Sequence, residues 1–207
     1  MDFNVIDNVM EAYNWQLAQM WLEGTVKGIK PGKVYAVNNI VGYGRNETFE
    51  MIADYFILNE QKAVLYMCSN CGKKKMENNI SERFKTHMYE RAFSTDTEDS
   101  EKTFEDLCEE AEKMFENQYP NIVFTALDER IVECVSEIDD NKYNVILIEQ
   151  FRILESKNTE YKGMSKELYK YCAQYLYDIA KQKGYIIIVG ININNNEKWL
   201  NNWLVKI

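Results

Sequence analysis

Glu160-Tyr161-Lys162-Gly163-Met164-Ser165-Lys166-Glu167-Leu168 sets a glycine turn directly ahead of a long periodic segment. From Met164 to Lys183, Leu168, Tyr171, Cys172, Tyr175, Leu176 and Ile179 recur on one side of a helical wheel, which predicts an amphipathic helix. Lys157, Lys162 and Lys166 make this region locally basic. A small-residue turn feeding a helix N-terminus offers unpaired N–H groups and the positive end of the helix dipole, an arrangement suited to a pyrophosphate. On the C-terminal side Gly184 reads as a cap. Tyr185 to Ile193 is almost continuously apolar, as expected of a strand covered on both faces. Trp199, Leu200, Trp203 and Leu204 then predict a short final helix.

Working back from the turn, Tyr143 to Leu154, Ile131 to Ile138 and Ile122 to Leu127 are apolar or β-branched runs separated by Asp128-Glu129 and Asp140-Asn141. Those pairs are turn formers, so the three runs predict an antiparallel meander. Helices are expected over Ile80 to Phe93 and Glu101 to Asn117, broken by the Ser94 to Ser100 cluster. Ala63 to Cys68 reads as a strand, Glu47 to Leu58 as a helix capped by Asn46, Lys33 to Val37 as a short strand, and residues 4 to 23 as a first helix. Gly42 and Gly44 mark a turn between the strand at Lys33 and the helix at Glu47.

From Ala63 onward this order, strand, helix, helix, three strands, helix, strand, helix, resembles the GNAT superfamily of N-acyltransferases. The loop ending in Gly163-Met164-Ser165 is similar to that family's phosphate-binding loop, although Glu160 stands where Gln or Arg is usual. Asn196 followed by Trp199-Leu200 and Trp203 resembles the family's fourth-helix pattern. The resemblance implies an α/β (α+β) fold with a mixed, mostly antiparallel sheet flanked by helices. Residues 1–60 would form an N-terminal helical extension packing on an acyl-coenzyme-A-binding domain of residues 61–207. It further implies acetyl-CoA as acyl donor, held by Lys162, Gly163, Met164, Ser165, Lys166 and Asn196. The main chain around Phe151, Ile153 and Glu155 would line a gap between splayed strands.

On that reading Glu149 is the candidate base, with Glu133 behind it, and an unidentified small-molecule or protein amine is the acceptor. Trp203 occupies the place of the family's tyrosine acid. The runners-up are a GNAT-like coenzyme-A-binding or interaction module without turnover, and an acidic decoy for a basic partner. The edge of the fifth strand needs a cover, from the segment Lys33 to Asn38 or from a second subunit in a homodimer.

The whole chain carries a net charge of −9 over 207 residues, which argues against broad phosphate-backbone contacts and gives the expectation of no nucleic-acid partner. No run of about 18 apolar residues predicts a membrane span. Met1-Asp2-Phe3 lacks a basic leader, and the 5 cysteines are an odd number, so a cytoplasmic protein with reduced thiols is expected. Cys68-Ser69-Asn70-Cys71-Gly72 is half of a zinc knuckle. With His87 a doubtful further ligand, it reads as a turn followed by solvated Lys73-Lys74-Lys75, and no metal is expected. The acids between Asp96 and Glu112 read as a solvated helix face.

Overall fold

Apolar runs of only three to five residues build the sheet. They are β1 (Lys33–Val37), β2 (Val64–Met67), β3 (Phe124–Leu127), β4 (Val145–Ile148), β5 (Ile186–Gly190) and β6 (Leu204–Lys206). The computed structural model describes residues 28–37, 45–58, 62–67, 73–94, 103–118, 124–127, 130–139, 142–161, 165–191 and 204–206. Its helices are α1 (Arg45–Leu58), α2 (Lys73–Ser94), α3 (Phe104–Gln118) and α4 (Lys166–Lys183), with 3-10 turns at Val132–Glu137 and Phe151–Ile153.

The six strands form one sheet in the order β3-β2-β4-β5-β1-β6. Every pairing in it is parallel. This overturns the mostly antiparallel GNAT-like sheet. The expected meander does not exist, because β3 and β4 both pair with β2 and never with each other. Its middle run, Ile131 to Ile138, is a 3-10 turn that buries Val132 and Val135. Leu204 belongs to β6 and not to a final helix. The expected helix over residues 4–23 lies outside the described residues.

Parallel strands need crossovers that cover the sheet, and both faces are covered. On one face Tyr35, Val37, Val64, Tyr66, Val145, Leu147, Ile186 and Ile188 meet α1 and α2 through Phe49, Ile52, Phe56, Ile80, Phe84 and Met88. On the other, Val34, Ala36, Ile146, Ile148, Ile187 and Val189 meet α4 through Leu168, Cys172, Leu176 and Ile179. Neighbouring strand residues alternate between the faces, so the central strands β2, β4 and β5 carry only apolar or aromatic side chains. The moves from β1 to β2 and from β2 to β3 cross the first face. The moves in the opposite direction, from β3 to β4 and from β4 to β5, cross the second, as a single crossover hand requires.

The segment at Lys33 does lie against the fifth strand, as one of the two expected covers: Lys33 pairs with Ile186 and Val37 with Gly190. It is an interior strand, with β6 on its other side. Gly184 ends α4 with φ 71°, a left-handed conformation suited to glycine, and its N–H donates to Ala180. Among the described residues, no helix is long and apolar enough to cross a membrane.

Candidate functional site

In an open parallel sheet, ligands sit beyond the carboxyl ends of the strands, where neighbouring connections leave to opposite faces. Here the chains leaving β1 and β2 enter α1 and α2 on one face, whereas the chain leaving β4 reaches α4 on the other. The strand ends are laced together there. Glu149 donates its N–H to Met67 O at 3.0 Å, and Ile191 donates to Val37 O at 3.1 Å, so the ends of β2, β4, β5 and β1 lie side by side.

Gly190 shows how tight this junction is. A Cβ added to it would stand 2.1 Å from the Glu149 carbonyl oxygen and 3.0 Å from the ring of Phe49. Phe49 lies one turn into α1, so the beginning of that helix rests on the junction of β4 and β5. Glu149, half-buried just past β4, is held in the same cluster. The sequence places it in the middle of a strand, and the structure puts it where a strand ends.

Of the residues expected to hold a coenzyme, Phe151, Ile153, Glu155, Ser165 and Lys166 are described. β4 and β5 run in register from Val145↔Ile186 to Ile148↔Val189, so no gap opens between them for a pantetheine arm. Phe151 is buried and packs against Tyr169 at 6.0 Å. Ile153 closes the same 3-10 turn. The Glu155 backbone is engaged on both sides, its N–H donating to Arg130 O at 2.8 Å and its carbonyl accepting from Val132 N at 2.9 Å. Ser165 is the N-cap of α4 and accepts from Leu168 N, which fills one of the amides expected to face an anion. Lys166 opens α4 and is exposed, while Lys162, Gly163, Met164 and Asn196 lie outside the described residues.

Glu133 is not on a strand, and its carboxylate is fully engaged with its surroundings. Oε1 accepts from Ser156 Oγ and from Tyr171 OH at 2.9 Å, and Oε2 accepts from Lys157 N at 3.1 Å. Burial pushes its acidity toward the neutral form, but the three donors outweigh that and hold it below the usual carboxylate range. Tyr171 is pushed up to about 12 by burial and by this carboxylate. The group straps the loop after β4 to α4. His87 is half-exposed, 3.9 Å from a Glu90 oxygen. Lys73-Lys74-Lys75 open α2. The Cys68 to Gly72 segment is outside the described residues, and among those described no three His, Cys, Asp or Glu are grouped to hold a metal.

Sequence reasoning passes over the link between β1 and α1, where Gly42 and Gly44 read only as a turn. A phosphate-binding loop has the order strand, G-x-x-x-x-G-K-[ST], helix. Here Asn39-Ile40-Val41-Gly42-Tyr43-Gly44 stands between β1 and α1, and Arg45-Asn46 open α1. Gly44 matches the second glycine. Asn39 replaces the first glycine, Arg45 the lysine and Asn46 the hydroxyl residue. The signal available is a short apolar strand followed within seven residues by a glycine at a helix start.

No protein-family model matches the chain, and no curated protein matches it. Among solved structures it is similar to an ATPase domain, with a TM-score of 0.55, 11% identity, and coverage of 96% of this chain and 74% of that one. It also resembles a DnaB-like replicative helicase whose structure describes its interactions with primase, at a TM-score of 0.49 and 11% identity. There it spans 83% of itself but 41% of the longer protein. With the all-parallel sheet order, the first likeness gives a RecA-like α/β fold in place of a GNAT fold. The N-acyltransferase, coenzyme-A-module and acidic-decoy readings give way to it. So do acetyl-CoA as cofactor and an amine as acceptor. The exclusion of nucleic acid, which rested on net charge, is withdrawn with them, and the RecA-like architecture is what the described strands and helices establish.

Proposed function

We propose that this chain is a RecA-like nucleotide-binding module that holds a nucleoside triphosphate between the start of α1 and the ends of β4 and β5, without efficient hydrolysis. The observation that carries this is the junction of Phe49, Glu149 and Gly190, which brings the first turns of α1 against the end of β4. In that reading Gly44 and the first-turn amides of α1 take the phosphates, and Arg45 supplies the positive charge. Glu149 is the acid that faces a divalent cation. The donor set fits a phosphate chain through backbone and guanidinium. Asn46, with an amide in place of a hydroxyl, weakens the cation site.

Titration with a fluorescent ATP analogue and Mg²⁺ tests the proposal. Binding is expected, weakened about tenfold or more by Arg45→Ala and by Glu149→Ala, with release of inorganic phosphate near background. Folded protein that binds no nucleotide at millimolar concentration overturns it. The replacements at 39, 45 and 46 favour one second reading, a nucleotide-free RecA-like assembly module, and the same titration separates the two. A cytoplasmic setting accords with the first reading.

A further inference from the structure

We infer that the end of the α2–α3 hairpin at which α2 stops and α3 begins docks a basic protein helix that carries an apolar anchor. The two helices share an apolar seam. From α2 it takes Ile80, Phe84, Met88 and Ala92, and from α3 Leu107, Ala111 and Phe115, with Phe84 and Phe115 rings 6.1 Å apart. Next to Ala92, and one turn before Leu107, the apolar surface continues to Phe93 and Phe104, whose rings meet at 5.4 Å. Phe104 is 70% exposed and Phe93 37%. Two phenylalanines paired at the exposed end of a seam form an apolar patch on which a partner's apolar side chain can rest.

Charge selects the occupant. α3 carries Glu105, Asp106, Glu109, Glu110, Glu112 and Glu116 against Lys113 as its only basic residue. Some of these acids have internal duties. Asp106 accepts from Thr103 N at 2.8 Å in the N-terminal cap, Glu109 pairs with Lys113 at 2.7 Å, and Glu112 with Lys85 at 2.8 Å. The helix as a whole stays strongly acidic, and the last turn of α2 adds Arg91 as its only base. An apolar pair next to such a helix attracts a lysine- or arginine-rich segment and repels an acidic one, a nucleic acid or a second copy of this acidic chain.

The probe is a synthetic leucine/lysine amphipathic peptide, titrated into the full chain by anisotropy. Two peptides of the same length serve as controls, one with serine for leucine and one with glutamate for lysine. The leucine/lysine peptide is expected to bind, about tenfold more weakly to Phe104→Ser and more weakly again as salt rises to about 0.3 M. The two control peptides are expected not to bind. Phe104→Ser should keep the thermal midpoint of the parent, since the ring is mostly exposed. The inference fails if the leucine/lysine peptide does not bind, if it binds Phe104→Ser equally well, or if the glutamate peptide competes. It also fails if sedimentation shows a dimer that Phe104→Ser dissolves, because the occupant is then a second copy.

Discussion

Replacing Asp54 by asparagine is expected to stabilise the chain at pH 8 by about 1–3 kcal/mol, although it removes one half of an ion pair. Asp54 on α1 receives Arg83 Nη1 at 2.7 Å, and Arg83 Nη2 reaches Glu50 Oε2 at 2.9 Å. Asn79 donates to the other Glu50 oxygen at 3.1 Å. The side chains are 14% exposed for Asp54, 9% for Glu50 and 34% for Arg83, so one guanidinium serves two carboxylates between packed helices. Burial raises the Asp54 pKa from 3.8 to about 6, Arg83 opposes the rise by hydrogen bond and charge, and the Glu50 carboxylate adds to it. A rise of about two pH units corresponds to roughly 3 kcal/mol. The folded chain holds the proton more tightly than the unfolded one. The stabilisation is therefore complete below about pH 4, falls as pH climbs to about 6, and is absent above that. Asparagine carries no charge and keeps an oxygen for Arg83, so the variant should lose this slope and recover part of the roughly 3 kcal/mol. Urea unfolding at pH 4, 6 and 8, with unchanged m-value, measures both effects. A variant less stable than the parent at pH 8 by more than about 1 kcal/mol, or one that keeps the slope, would show that Arg83 outweighs burial and refute the reasoning. Arg83→Met is the converse control, leaving two buried acids without their guanidinium at a cost of about 3–5 kcal/mol.

Gly190→Ala should destabilise by about 3 kcal/mol, read as a lowered thermal midpoint, because its Cβ would meet the Glu149 carbonyl at 2.1 Å, a contact with backbone that no rotamer relieves. A midpoint unchanged from the parent would mean that the junction of β4 and β5 is looser than described. Glu133→Gln should cost about 1–2 kcal/mol and bring the Tyr171 phenol down from about 12 toward its ordinary range, followed by phenolate absorbance. A phenol that stays at its raised value would assign the shift to burial alone.

The strands and helices are largely legible one at a time, and their arrangement is not. Tyr185 to Ile193 reads as doubly covered because it is apolar without alternation, and β5 is such a strand. The same mark is present in Val145–Ile148 and Val64–Met67. Ahead of Val145–Ile148 the pairs Asp128-Glu129 and Asp140-Asn141 read as hairpin turns, although the sheet order shows that they lie in the connection between two parallel strands. Val132, Val135 and Ile138 carry a spacing of three, which suits the eclipsed i and i+3 positions of a 3-10 turn better than the period of two that a strand requires. Element order along a chain says which units exist and leaves open which lie side by side.

The candidate site shows a related division. The turn at Gly163 draws attention because a helix follows it, yet Ser165 already caps that helix. Gly44 likewise precedes a helix in the sequence, and what distinguishes it is tertiary: β1 is interior, and Phe49 carries the start of α1 onto Glu149 and Gly190. Phosphate binding at such a place rests mainly on backbone donors, a helix dipole and one cation, and those survive the change from lysine to arginine. Phosphoryl transfer asks for more, since it depends on placing a metal and a nucleophile against the leaving phosphate. Asn39, Arg45 and Asn46 differ from the motif at the side chains on which that placement rests, whereas Gly44 matches it. On the proposed function these differences remove more from turnover than from binding, which is why the proposal is retained nucleotide with little hydrolysis.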